Sequence, residues 1–94
     1  MDLVLSIRLT VSGKVQGVYF RQSACDVANK LGLSGFVQNL PNGDVLIEVH
    51  GEGAKVEELF QWSLKGPMLA HVKSVHREEI PSIPLTGIFV LRKT

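Results

Sequence analysis

The sequence predicts an α+β sandwich in which two helices pack on one face of an antiparallel sheet, and three observations predict it. Segments of strict apolar/polar alternation recur along the chain, two segments of helical period are interleaved with them, and Gly or Pro punctuates nearly every change of period. The 94 residues, 45% of them hydrophobic, suit one domain, residues 1–94, able to bury roughly two-thirds of its unfolded surface around one core.

Leu5, Ile7, Leu9 and Val11 alternate with Ser6, Arg8, Thr10 and Ser12, so the first strand puts one face on a core and one toward water. Gly13 through Gly17 interrupts that pattern. From about Phe20 the period becomes helical, with Ala24, Val27, Ala28 and Leu31 on one face and Gly32 at the left-handed position that ends such a helix. Phe36 to Leu40 and Asp44 to His50 read as antiparallel strands joined by the turn residues Pro41-Asn42-Gly43.

A second helix fits Gly53 to Lys65, striped by Val56, Leu59, Phe60 and Leu64, with Glu57 and Glu58 complementing the helix dipole near its start and Gly66-Pro67 stopping it. Ala70 to Glu79 reads as a strand, and the three-residue spacing of Val72 and Val75 predicts a bulge or twist within it. Pro81 and Pro84 mark a loop before a short last strand, Ile88 to Leu91. The order is that of a split βαβ, ferredoxin-like βαββαβ sandwich with a short terminal strand. That architecture hosts many activities, so function has to be argued from a site.

Composition narrows the choices. Ten basic and nine acidic side chains give a formal net charge of +1, which supplies no electrostatic footprint for nucleic acid or an anionic membrane. No apolar run approaches the ~20 residues of a membrane span, and the alternating N-terminus reads as a strand rather than a signal peptide. Cys25 is the single cysteine, which fits a reducing cytoplasm. It reads as a packed small hydrophobe. Trp62 reads as packing, and His50, His71 and His76 as solvated strand residues without a metal or catalytic role. Lys14 reads as a solvated loop tip.

The segment Gly13-Lys14-Val15-Gln16-Gly17-Val18-Tyr19-Phe20-Arg21 carries the chemistry. Its glycines let the backbone curl so that successive N–H groups converge, and the helix start adds unpaired donors and a positive dipole end. That makes an anion cradle, to which Arg21 adds a planar fork able to hold two phosphate oxygens.

The same segment resembles the acylphosphatase signature G-x-V-Q-G-V-x-F-R, with every fixed letter present. Gly35-Phe36-Val37-Gln38-Asn39-Leu40-Pro41-Asn42-Gly43-Asp44-Val45 is similar to the family's second signature, a strand-end asparagine before a glycine hairpin. Gly66-Pro67-Met68-Leu69-Ala70-His71-Val72-Lys73-Ser74-Val75 is similar to its G-P-x-x-A-x-V-x-x-V. Asn42-Gly43 stands where the family usually has Asp-Gly, which meets the same backbone need.

The resemblance implies hydrolysis of a small acyl phosphate to a carboxylate and inorganic phosphate. Arg21 and the amides of Gln16, Gly17, Val18, Tyr19, Phe20 and Arg21 would hold the phosphoryl group, and Asn39 would place the attacking water. It implies no metal and no cofactor, and nothing demands more than a monomer. Tyr19 occupies a variable letter, and its side chain is given no role. The same signatures occur in acylphosphatase-like domains of larger maturation enzymes that handle carbamoyl phosphate, which would make the chain a binding or processing module. The end at Thr94 without a linker favours the free-standing enzyme. An RNA-binding module of the same architecture would need a basic, aromatic sheet face, which one Tyr, one Trp and four Phe on a near-neutral chain do not supply.

Overall fold

A computed structural model of the chain describes residues 3–93. β1 (Val4–Lys14) is longer than its alternation suggests, because Gly13 and Lys14 pair with Val72 and His71 of β4 (His71–Glu79). α1 (Phe20–Lys30) follows, then β2 (Ser34–Asn39), β3 (Val45–Glu52), α2 (Gly53–Ser63), β4 and β5 (Phe89–Arg92). The sheet order is β4-β1-β3-β2-β5. Each neighbouring pair among the first four strands is antiparallel, and β5 adds in parallel to β2, Gly35 opposite Phe89, which makes the five-stranded sheet mixed.

Ile7, Leu9, Val11, Val37, Val45, Ile47, Val49 and Phe89 project from one sheet face into a core closed by Phe20, Ala24 and Ala28 of α1 and Val56 and Leu59 of α2. The period-two and period-3.6 stripes therefore meet as expected. Leu33 N–H donates to Ala28 O and Gly32 N–H to Asn29 O, ending α1 in a Schellman cap with Gly32 at φ 69°. The bulge expected in the fourth strand is present: the register with β1 slips between Ser12 and Gly13, leaving Lys73 unopposed. Asn29 clasps β5 to α1 from both sides, its Nδ2 donating to Phe89 O (3.2 Å) and its Oδ1 accepting from Phe89 N–H (3.3 Å). Cys25 lies beneath, its Sγ 3.4 Å from the same carbonyl, and burial pushes its thiol pKa up.

Several expectations need correction. α2 stops at Ser63, so Leu64 lies beyond the helix and is exposed rather than completing its apolar stripe. Its first turn holds no acidic residue. Glu57 instead forms a two-point ion pair with Arg77 of β4 (2.8 and 2.5 Å), and that guanidinium stacks over Phe60. In the β2–β3 connection only Gly43 has positive φ (97°). The loop is closed by Leu40 N–H to Asp44 O and Gly43 N–H to Leu40 O, and Asn42 Oδ1 caps Asp44 N–H.

His50 is not solvated: it is 1% exposed, whereas His71 and His76 are exposed. In one row across the open face of the sheet stand Ser6, His50 and Ser34. The segment from β4 to β5 crosses that face from one sheet edge to the other, held to Ser6 through Ser82 and to Ser34 through the N–H groups of Thr86 and Gly87. His50 Nδ1 lies 2.7 Å from Ser6 Oγ, while Nε2 is buried without a hydrogen bond among the described residues, with Glu48 Oε2 3.8 Å away. No helix of the described residues is long and apolar enough to cross a membrane.

Candidate active site

The pairing directions bring the C-terminal ends of β1, β2 and β5 to the same end of the sheet, so the loop after β1, the start of α1, Asn39 and Arg92 are neighbours. A cleft of ≈ 340 Å³ opens there. Gly17, Tyr19, Phe20 and Arg21 line it from the loop and helix side, and Asn39 lines it from the end of β2. Residues of both sequence motifs thus meet in one concavity. A larger groove of ≈ 510 Å³ between the helices, walled by Val27, Leu31 and Trp62, lies away from both motifs.

The loop has the backbone of an anion nest. Gly17 (φ 74°) and Tyr19 (φ 64°) are left-handed, while Gln16, Val18 and Phe20 are not, and this alternation turns successive N–H groups toward one concave side. Gly17 takes its conformation without a Cβ penalty. Tyr19 is the N-cap of α1 and makes no side-chain capping bond. The first helical hydrogen bond runs from Ser23 N–H to Tyr19 O. None of the N–H groups from Gln16 to Gln22 has an acceptor among the described residues. They form a row of free donors at the positive end of an eleven-residue helix.

Arg21 lines the same cleft, with its Nη1 donating to Arg92 O (3.0 Å). Arg92 is itself fixed, its guanidinium lying 3.6 Å from the centroid of the Phe36 ring. Phe20 anchors the start of the helix in the core, 1% exposed, with its ring 5.1 Å from that of Trp62, which confirms Trp62 as packing. Asn39 Oδ1 is buried and has no hydrogen-bond partner among the described residues. A buried acceptor in that condition is ordinarily satisfied by water or a ligand.

Gln16 and Val18 are not among the lining residues. Val18 is buried, and the Gln16 side chain turns to the β2–β3 connection, donating from Nε2 to Leu40 O (2.9 Å) and Asp44 O (2.8 Å). What either offers an anion is its backbone N–H. Lys14 is exposed on β1 and is not part of the lining. Sequence reasoning missed Gln22, whose N–H completes the first helical turn and was recoverable from helix geometry. It also missed Leu91 and the Arg92 carbonyl, which a backbone group and an ordinary strand leucine do not signal.

Convergent free N–H donors, a guanidinium and an unpartnered amide oxygen suit a small tetrahedral oxyanion and one ordered water. Comparison with known proteins agrees with that chemistry. The Acylphosphatase family model matches residues 7–90. The chain is 47% identical over 85 residues to an acylphosphatase of Anaeromyxobacter dehalogenans, covering 90% of this chain and 91% of that one. Its fold superposes with TM-score 0.89 on an acylphosphatase structure from Coxiella burnetii, at 42% identity, covering 95% of this chain and 93% of that one. The acylphosphatase from Bacillus subtilis gives TM-score 0.88 at 27% identity, covering 96% and 99%. With two signatures joined in one cleft and relatives matched over nearly their whole length, the chain belongs to the acylphosphatase family.

Proposed function

We propose that this cleft hydrolyses small acyl phosphates to a carboxylate and inorganic phosphate by in-line attack of water on phosphorus. The observation that carries the reading is that Asn39, whose Oδ1 is buried without a hydrogen-bond partner among the described residues, lines the same cleft as Arg21. The N–H groups of Gln16, Gly17, Val18, Tyr19, Phe20 and Arg21 receive the phosphoryl oxygens together with the Arg21 guanidinium. In the transition state these fixed donors face the charge spread over the equatorial oxygens. They are already oriented by the loop, so little reorganisation accompanies the reaction.

Asn39 accepts a hydrogen bond from the water and fixes its line of approach. The water oxygen bonds to phosphorus as the bond from phosphorus to the acyl oxygen breaks, and that electron pair leaves with the carboxylate. A carboxylate whose conjugate acid has a pKa of about 4 departs without a proton donor, so the scheme needs no general acid. Asn39 cannot take a proton, and the water's proton passes to a phosphate oxygen. The scheme uses no metal or cofactor. Residues 1–94 act as one domain and a monomer, in a reducing cytoplasm where the buried thiol of Cys25 stays free.

Benzoyl phosphate hydrolysis in the presence of EDTA, by wild type and Asn39→Ala side by side, tests the scheme. The expected outcome is rapid wild-type turnover that falls at least about 100-fold in the variant, with phosphate affinity nearly intact. Equal losses of turnover and phosphate affinity would make Asn39 a support for the loop instead of a guide for the water. A folded, phosphate-binding wild type without turnover would make the chain a binding module.

A further inference from the structure

The cleft is larger than its anion. At roughly 30 Å³ per water, ≈ 340 Å³ is space for several groups of that size, and a tetrahedral phosphoryl group occupies only part of it. On the reading above, the acyl group takes the remainder. Four apolar residues line the cleft, but Val15 and Phe20 are each 1% exposed and have almost no surface to offer. Leu91 is half-buried. Tyr19 is 75% exposed and has the largest free apolar area of the four.

Tyr19 is also conformationally costly where it stands. Among the described residues it alone, apart from glycines, has positive φ (64°, with ψ 22°). Bulky side chains rarely adopt that region, which glycine occupies freely. The ring does not repay this through the fold: it is excluded from the core and caps nothing. An aromatic residue kept at a glycine-type position, exposed at the rim of an anion cleft and two residues before Arg21, is explained by what it meets outside the fold.

We propose that Tyr19 is a specificity-determining residue whose ring, together with Leu91 of the same cleft lining, receives the acyl group and selects apolar, above all aromatic, acyl phosphates over the smallest ones. An aromatic acyl group gains a stacking or edge-to-face partner there, while an acetyl-sized group leaves the ring in water. The inference depends on the cleft holding the phosphoryl group as described.

The test compares two hydrolysis-resistant ligands, benzoylphosphonate and acetylphosphonate, by calorimetric titration of wild type, Tyr19→Phe and Tyr19→Gly. The affinity ratio taken within each protein cancels any change in how the phosphoryl-like end is held. Wild type and Tyr19→Phe are expected to favour benzoylphosphonate by about tenfold, equal to about 1.4 kcal/mol. Tyr19→Gly, which accepts the left-handed backbone and folds, is expected to bring the ratio below about twofold. A wild-type ratio near one, or a tenfold preference surviving in Tyr19→Gly, overturns the role of Tyr19 while phosphonate binding upholds the anion site. Failure of both phosphonates and of inorganic phosphate to bind wild type overturns the phosphoryl reading and this inference with it.

Discussion

Arg21 Nη1 donates to the backbone carbonyl of Arg92 at 3.0 Å, so one of the five guanidinium donors is spent on the protein and the rest remain for a ligand. The carbonyl holds the plane of the fork, and the fork then presents paired N–H groups.

Arg21→Ala is therefore expected to weaken inorganic phosphate binding by at least about 100-fold, the scale of losing charge-assisted hydrogen bonds. Arg21→Lys should recover little of it, because a lysine ammonium is a single point charge without the planar fork that meets two phosphate oxygens in parallel. Phosphate titration followed by NMR decides the matter, and near-native affinity in Arg21→Lys would reduce the role of Arg21 to that of a point charge.

Gln16 ties the anion loop to the connection that follows Asn39, through Leu40 O and Asp44 O. Gln16→Met keeps the length of the side chain and deletes both donors. The two carbonyls retain their bonds to Gly43 N–H and Leu40 N–H, so the stability loss should be about 1–2 kcal/mol in urea unfolding. Turnover of benzoyl phosphate should fall by roughly tenfold as the loop loosens relative to Asn39. Unchanged turnover with the same stability loss would mean that the tether supports only the fold.

The Glu57–Arg77 pair gives a pH-dependent prediction outside the site. The hydrogen-bonded Arg77 guanidinium holds the Glu57 carboxyl below the ordinary carboxylate range. A depressed pKa contributes stability that is fully present above the unfolded value and is lost as pH falls through the folded one. Arg77 stays charged throughout. The Glu57 side chain is 46% exposed, so solvent screening limits the coupling to about 0.2–1 kcal/mol. A double-mutant cycle with Glu57→Gln and Arg77→Met should show that coupling near neutral pH, a smaller one in 1 M salt, and none near pH 2. Coupling that persists at pH 2 would assign it to packing against Phe60.

The strands of this fold were legible wherever one face met the core and the other met water. Ile7, Leu9 and Val11 announce β1, and the broken spacing of Val72 and Val75 announced the bulge at Lys73. His50 was misread because alternation reports only which face a residue takes. The burial of that face comes from the crossing segment near Ser82 and Thr86, a contact of long sequence separation. In the cleft, Arg21 and Asn39 were legible because what they bring to its lining is a distinctive side chain. Gln16 was legible as a loop residue but not as a tether. The Arg92 carbonyl was invisible, since every residue has one.

The cleft draws on the first quarter of the chain at Gly17 to Gln22, on its middle at Asn39, and on its final strand at Leu91 and Arg92. During synthesis, which proceeds from the N-terminus, the residues of the nest leave the ribosome long before those of β5, which docks beside β2. The Arg21 fork then lacks its brace until the last strand arrives. Under the proposed function, anion capture would be coupled to completion of the polypeptide, and a chain stalled before β5 emerges would carry the loop without its brace.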